Sequence, residues 1–295
     1  MYSSRRIPMN MEKENLFFSK ELSYFGCSVQ GASHIREGKH CQDSFEIYSE
    51  SIDEDNKMII MAVADGHGSE NYDLSKYGAE FAVKAAIEEL KLIYYFSRGS
   101  KSQILKNFKS DFPTSTLKRW REAIISDIKI REEEFYKTNF NNLKQIYKRY
   151  GTTLMAVLIV PEGIFMAQLG DGDMLLVESN ERTEFPIPAS DELIANETYS
   201  MTSTDSTRLW KFQMYSADEP VLVMLSTDGL SNSFEDDFSF TKFGISLLRN
   251  INQFGIEKVA KEVPGFLNRA SKNGSGDDIT LAFAVVDICK DDIAK

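Results

Sequence analysis

The chain contains few of the residues from which soft-metal and thiol sites are made: three histidines and three cysteines in 295 residues. Three histidines do not build a His-rich zinc centre. Cys27, Cys41 and Cys289 lack the paired spacing of a thiolate site. Odd in number and scattered, they read as incidental thiols in a reducing compartment, so the chain is expected in the cytoplasm. No apolar run approaches the roughly 20 residues of a membrane span. Met1-Tyr2-Ser3-Ser4-Arg5-Arg6 has no apolar segment behind its arginines, which argues against a signal peptide. Positive charge is also scarce: 34 Lys and Arg against 45 Asp and Glu leave a formal net charge of -11. Non-specific nucleic-acid binding rests on basic side chains facing phosphates, so no nucleic acid is expected as a partner.

Several phosphate-handling signatures are missing as well. There is no Gly-x-x-x-x-Gly-Lys-Ser/Thr loop, no cysteine followed by five residues and then an arginine, and no Gly-x-Ser-x-Gly elbow. No Pro-rich or Gly/Ser-rich linker and no repeat divides the chain. Apolar residues make up 42%, enough for one substantial core. Residues 1–20 are polar and read as a loose tail, with 21–295 as a single domain.

What stands out are two apolar runs that end in an acid-glycine pair. Residues 58–64 lead into Asp65-Gly66-His67-Gly68, and residues 221–227 lead into Asp228-Gly229. Runs of this length and composition predict buried strands, with glycine allowing the tight exit or a positive φ. Each would carry one carboxylate to the rim of a sheet. Asp43 and the Asp277-Asp278 pair stand beside other strand-like segments.

Further strands are expected at 23–30, 44–49, 151–160, 164–169, 173–178 and 278–287, with Pro161-Glu162-Gly163 turning a hairpin. Helical periodicity covers 74–92, 116–150 with a break at 139–142, 240–251 and 256–270. Residues 97–113 read as a polar connection and 181–206 as a long loop. Strands in consecutive groups, separated by long helices, favour an antiparallel α+β sandwich over βαβ alternation.

Carboxylates gathered at strand ends repel unless protons or cations neutralise them. With a glycine carbonyl beside them they suit Mg²⁺ or Mn²⁺ in an oxygen shell that keeps several waters. Two such ions about 3.5–4 Å apart can activate a shared water for in-line attack on phosphorus. His67 would lie near that site without ligating, in a pKa range suited to protonating an alkoxide. Each element alone has a plainer reading: a structural turn for Asp-Gly, a hydrogen-bonded residue for a lone His, a capped turn for Asp277-Asp278. A rival assigns Asp171-Gly172-Asp173 as an aspartyl nucleophile of haloacid-dehalogenase type. That scheme needs an early aspartate after the first strand of a parallel fold, and it leaves Asp65-Gly66-His67-Gly68 unexplained.

In order along the chain, Gln42-Asp43, Val63-Ala64-Asp65-Gly66-His67-Gly68, Gly151-Thr152-Thr153, Gly170-Asp171, Ser226-Thr227-Asp228-Gly229 and Asp277-Asp278-Ile279-Thr280 resemble the motifs of the metal-dependent PP2C-like (PPM) serine/threonine protein phosphatases. The resemblance runs from about 23 to 287. It implies a four-layer α-β-β-α sandwich, two antiparallel sheets face to face with helices on both outer sides. It implies phosphoserine and phosphothreonine hydrolysis by direct attack of a metal-bridging hydroxide, with two core Mn²⁺ or Mg²⁺ ions and no phosphoenzyme. Carried over by motif, Asp65 bridges the ions and Gly66 offers its carbonyl. Asp43 serves one ion, Asp228 and Asp277 the other, Asp171 a third, and His67 is the general acid. The phosphate-gripping arginine falls at Arg36 in a segment that also holds His34 and Lys39, though the usual slot is Gly38. Gln42 and Asp278 replace the family's usual Glu and Asn, and the 181–208 segment departs from its usual flap, as in a divergent bacterial branch. The implied partners are a phosphoprotein substrate and a Ser/Thr kinase. The non-enzyme alternative is a pseudophosphatase kept as a binding module.

Overall fold

A computed structural model describes residues 14–15, 24–54, 56–188, 199–216 and 220–286. In chain order, the strands among them are β1 (Glu14–Asn15), β2 (Tyr24–Val29), β3 (Ser44–Ser51), β4 (Lys57–Ala64), β5 (Leu154–Val160), β6 (Gly163–Leu169), β7 (Asp173–Glu178), β8 (Thr183–Glu184), β9 (Lys211–Tyr215), β10 (Val221–Ser226) and β11 (Ile279–Val286). They form two antiparallel sheets, ordered β1-β2-β11-β10-β7-β8 and β3-β4-β5-β6-β9.

The alternation of side chains along each strand explains why the central runs are apolar throughout. In β4, Ile59, Met61 and Val63 face the other sheet, packing in one cluster with Leu176, Val223 and Ala284. Met58, Ile60, Ala62 and Ala64 point the opposite way. There they meet helices α2 (Ser75–Ser97), α3 (Lys101–Ser110) and α4 (Phe112–Arg131) through residues such as Leu90, Ile104 and Trp120. On the far side, α8 (Asp237–Phe254) and α9 (Ile256–Asn273) cover Leu222, Met224, Leu281 and Phe283. The result is the antiparallel α+β sandwich expected from the strand grouping, with the four layers that the family resemblance implies. Shorter helices are α1 (Ala32–Glu37), α5 (Glu133–Asn139), α6 (Leu143–Lys148) and α7 (Asp228–Ser231).

The structure departs from the sequence expectation in four places. Residues 97–113 are not a connection but mostly α3: Ser100 caps it by accepting from the Gln103 N–H, and Ile104 and Phe108, four apart, are buried. Lysines between them had masked a two-anchor helix. Strand β9, unmarked in the sequence, pairs with β6 at the sheet edge, where a half-exposed Lys-Phe-Gln-Met-Tyr lacks the apolar density of a central strand. Within the 181–206 loop, Thr183–Glu184 pair with β7, and 189–198 lie outside the described residues. Of the expected tail, Glu14–Asn15 pair with Gly26 and Cys27; its other residues, and Cys289, also lie outside the described residues.

Candidate metal centre

Antiparallel register brings the acids together. Asp65 leaves the end of β4, and Asp43 precedes β3, whose Ser44 pairs with Ala64. In the facing sheet, Asp228 follows β10 and Asp277 precedes β11, whose Leu281 pairs with Ser226. Asp171 lies where the chain crosses from β6 in one sheet to β7 in the other. Five carboxylates from two sheets thus sit along one edge of the sandwich.

Asp65 is held by its backbone. Its N–H donates to Thr153 Oγ1 at 3.0 Å, and its carbonyl accepts from the Thr153 N–H at 2.9 Å and Thr152 Oγ1 at 2.8 Å. That is the work of Gly151-Thr152-Thr153. A Cβ on Gly66 would stand 2.6 Å from the Gln42 carbonyl, and one on Gly229 would stand 2.1 Å from the Asp278 carbonyl. Gly66, Gly68 and Gly229 are absent from the positive-φ glycines. The glycines of both acid-glycine turns therefore serve close backbone approach, not the positive φ the sequence had allowed for.

Asp43 is buried, and its Oδ2 accepts from Thr227 Oγ1 at 2.8 Å and Thr280 Oγ1 at 2.9 Å. Asp228 Oδ2 accepts from Asn232 Nδ2 at 3.1 Å. Burial, then the charge of Asp43, followed by Asp228, Asp277 and Asp171, pushes the Asp65 carboxyl well above the usual carboxylate range. Burial and Asp278 do the same to Asp43. Burial, Asp171 and Asp277 raise Asp228 to about 6. Such mutual repulsion marks a place where positive charge is missing.

Adjacent Asp277 and Asp278 have unlike environments. The Asp277 side chain is 53% exposed, that of Asp278 only 3%. Both Asp278 oxygens are occupied, accepting from the Gly31 N–H at 2.6 Å and the Gln42 N–H at 2.7 Å. His34, on α1, lies beside this pair, with Nδ1 2.9 Å from Asp278 Oδ2 and Nε2 3.7 Å from Asp277 Oδ1. Among the described residues this is the one trio of potential ligands within 4.8 Å of one another. Since Asp278 is spent on backbone N–H groups, its role is to hold the loop that carries Asp43. A wider set of carboxylates still suits ions that keep several waters. Among the described residues, the buried Gln42 Oε1 finds no hydrogen-bond partner, an acceptor of the kind that waters around such ions would satisfy. The donors are all hard oxygens, so the residues present fit Mg²⁺ or Mn²⁺.

His67 follows Gly66, with its N–H donating to the Gly151 carbonyl at 3.1 Å and its ring edge-on to Tyr72 at 4.7 Å between centroids. Burial lowers its pKa, and Asp171 pulls it back up. Arg36 is exposed and donates from Nη2 to Ser33 Oγ at 2.9 Å; among the described residues it pairs with none of the clustered acids. His34, not Arg36, is the nitrogen-bearing side chain brought against Asp277. Burial pushes the Cys41 thiol well up, which fits an inert residue. The strand before Asp171 belongs to an antiparallel hairpin, so the parallel fold required by the aspartyl-nucleophile rival is not there.

Residues 30–268 match the sequence model of the protein phosphatase 2C family, and the chain belongs to that family. No curated protein matches it. Among solved structures it is similar to the catalytic domain of the serine/threonine protein phosphatase PstP in complex with two manganese ions, at 18% identity and a TM-score of 0.54, covering 90% of this chain and 99% of that one. The Mycobacterium tuberculosis phosphatase PstP/Ppp matches at 16% and 0.54, with 90% and 99% covered. RsbX in complex with magnesium matches at 14% and 0.50, with 93% and 99% covered.

Proposed function

We propose that this member of the protein phosphatase 2C family hydrolyses phosphoserine and phosphothreonine in proteins with Mn²⁺ or Mg²⁺ as cofactor. The observation that carries the reading is the convergence of Asp43, Asp65, Asp171, Asp228 and Asp277 on one sandwich edge, with the Asp65 carboxyl raised by burial and by the others' charge. In this reading Asp65 would serve two ions, with the Gly66 carbonyl and Asp43 holding one, Asp228 and Asp277 the other, and Asp171 a third. When bound, such cations lower the pKa of a shared water and neutralise phosphoryl oxygens. The manganese and magnesium in the PstP and RsbX structures support that choice of metal.

His67 has the second task, giving a proton to the departing serine or threonine oxygen. Burial disfavours its charged form, and Asp171 opposes that effect. A phosphate ester bound beside it would add negative charge and bring its lowered pKa back up toward the donor range. Arg36 is our candidate to grip the phosphate in a bidentate manner, which requires it to leave Ser33. The substrate-supplying reaction is phosphorylation of serine or threonine by a protein kinase.

The test is phosphate release from a phosphoserine peptide and from an aryl phosphate, with Mn²⁺, with Mg²⁺ and with chelator. Metal-dependent release from both is expected. Release that persists in chelator contradicts the reading, and so does none with either metal, the outcome expected of a pseudophosphatase.

A further inference from the structure

A cleft of about 1090 Å³ opens at His67 and Gly68 and runs away from the carboxylates. One wall is the Ser/Thr-rich segment 199–205. The other is made by α4 and α6 through Arg121, Lys144 and Lys148. A second cleft of about 790 Å³ adjoins it, sharing Arg121, Tyr147, Ser203 and Asp205, and adds Lys118 and Glu122.

The charge of this groove opposes that of the molecule. The chain has a formal net charge of -11, yet the first cleft is lined by three cationic side chains and one acid, Asp205. Among the described residues, no carboxylate pairs with Arg121, Lys144 or Lys148, and all three are exposed. Aromatic faces accompany two of them: Arg121 lies 5.2 Å from the Tyr147 ring centre and Lys148 6.0 Å from that of Tyr72. Lys144 and Lys148 are four apart on α6, so both fall on one helix face. The opposite wall is fixed, with the Met201 N–H donating to the Thr152 carbonyl at 2.9 Å and the Ser200 N–H to Ser203 Oγ at 2.9 Å. Thr152 also holds Asp65, so one residue sets both the metal-binding carboxylate and the groove wall.

We propose that this groove binds the stretch of phosphoprotein flanking the target residue and selects for aspartate and glutamate there. The inference rests on the phosphatase reading and names its substrate class. A phosphoserine whose phosphate lies at Asp65 and His67 has this basic groove beside it, past Tyr72, as a path for its own chain on one side. Acidic side chains there meet three cations that no carboxylate among the described residues pairs with, although Asp205 shares the groove, and the interaction weakens with salt.

The experiment measures binding by fluorescence anisotropy in Mn²⁺, using peptides that carry an uncleavable phosphonate analogue of phosphoserine. Three are compared: acidic residues before it, acidic residues after it, and basic residues on both sides. One acidic peptide is expected to bind about 5- to 10-fold tighter than the basic one, as a few exposed charge pairs supply. K144E/K148E should remove or reverse that preference while aryl phosphate turnover persists. Equal affinities for the three peptides, or a preference untouched by K144E/K148E, overturn the proposal. Selective binding by a protein that hydrolyses no aryl phosphate sinks the catalytic reading and leaves the groove standing.

Discussion

Asp277 and Asp278 carry the same side chain one position apart, and their surroundings assign them different work. Asp278 spends both oxygens on the Gly31 and Gln42 N–H groups, while Asp277 stays half-exposed at the rim. Asp43 accepts from Thr227 and Thr280, two hydroxyls from the facing sheet that tie the halves of the site together. His67 is the residue whose chemistry can be isolated. With His67 as the proposed general acid, its proton would matter for an alkoxide leaving group and little for a phenolate that departs unaided. In His67→Ala, turnover of a phosphoserine peptide should fall by about 10²-fold, within the usual span for general acid catalysis, and that of an aryl phosphate by less than tenfold. Equal losses on the two substrates would assign His67 to binding or folding.

At the level of elements, legibility followed apolar density. Runs 58–64 and 221–227 declared themselves because both faces of each strand are covered, one by helices and the other by the second sheet. Strand β9 was hidden because an edge strand needs only half its surface buried. Helix α3 was hidden because two buried anchors, Ile104 and Phe108, among lysines and polar residues make a weak periodic signal. The candidate site shows the same division. Asp43, Asp65, Asp228 and Asp277 were readable because each borders a strand. The pairing of Thr227 and Thr280 with Asp43 was not, since it joins residues 184 and 237 positions apart. Both threonines do stand next to strand-end acids, Thr227 before Asp228 and Thr280 two after Asp278, which was the available signal. His34 likewise meets Asp277 only once α1 packs beside the turn before β11.

For the whole molecule, 14–18% identity to the three solved structures coexists with coverage of nine-tenths of the chain. A sandwich can keep its layers while most side chains change, provided the apolar runs and the rim residues stay in register. The cost of this design is concentrated at the rim, where clustered carboxylates oppose folding unless cations neutralise them. Metal that binds the folded state alone, at a hundred times its dissociation constant, adds about 2.7 kcal/mol of stability. For a chain of this size that should raise the melting temperature by about 5 °C. Differential scanning calorimetry in Mn²⁺ and in chelator measures it, and an unmoved midpoint would count against the cluster as a metal centre.

The central claim is that Asp65 is the hub of a metal-dependent phosphatase centre, and phosphate release from a phosphoserine peptide by Asp65→Asn in Mn²⁺ tests it most directly. If Asp65 serves both ions as proposed, its loss should forfeit several kcal/mol of transition-state stabilisation, a fall of roughly 10³-fold or more. The Thr152 and Thr153 contacts to the Asp65 backbone do not involve the lost charge, so the fold should persist. A folded Asp65→Asn protein that releases phosphate at the unmodified rate would contradict the account.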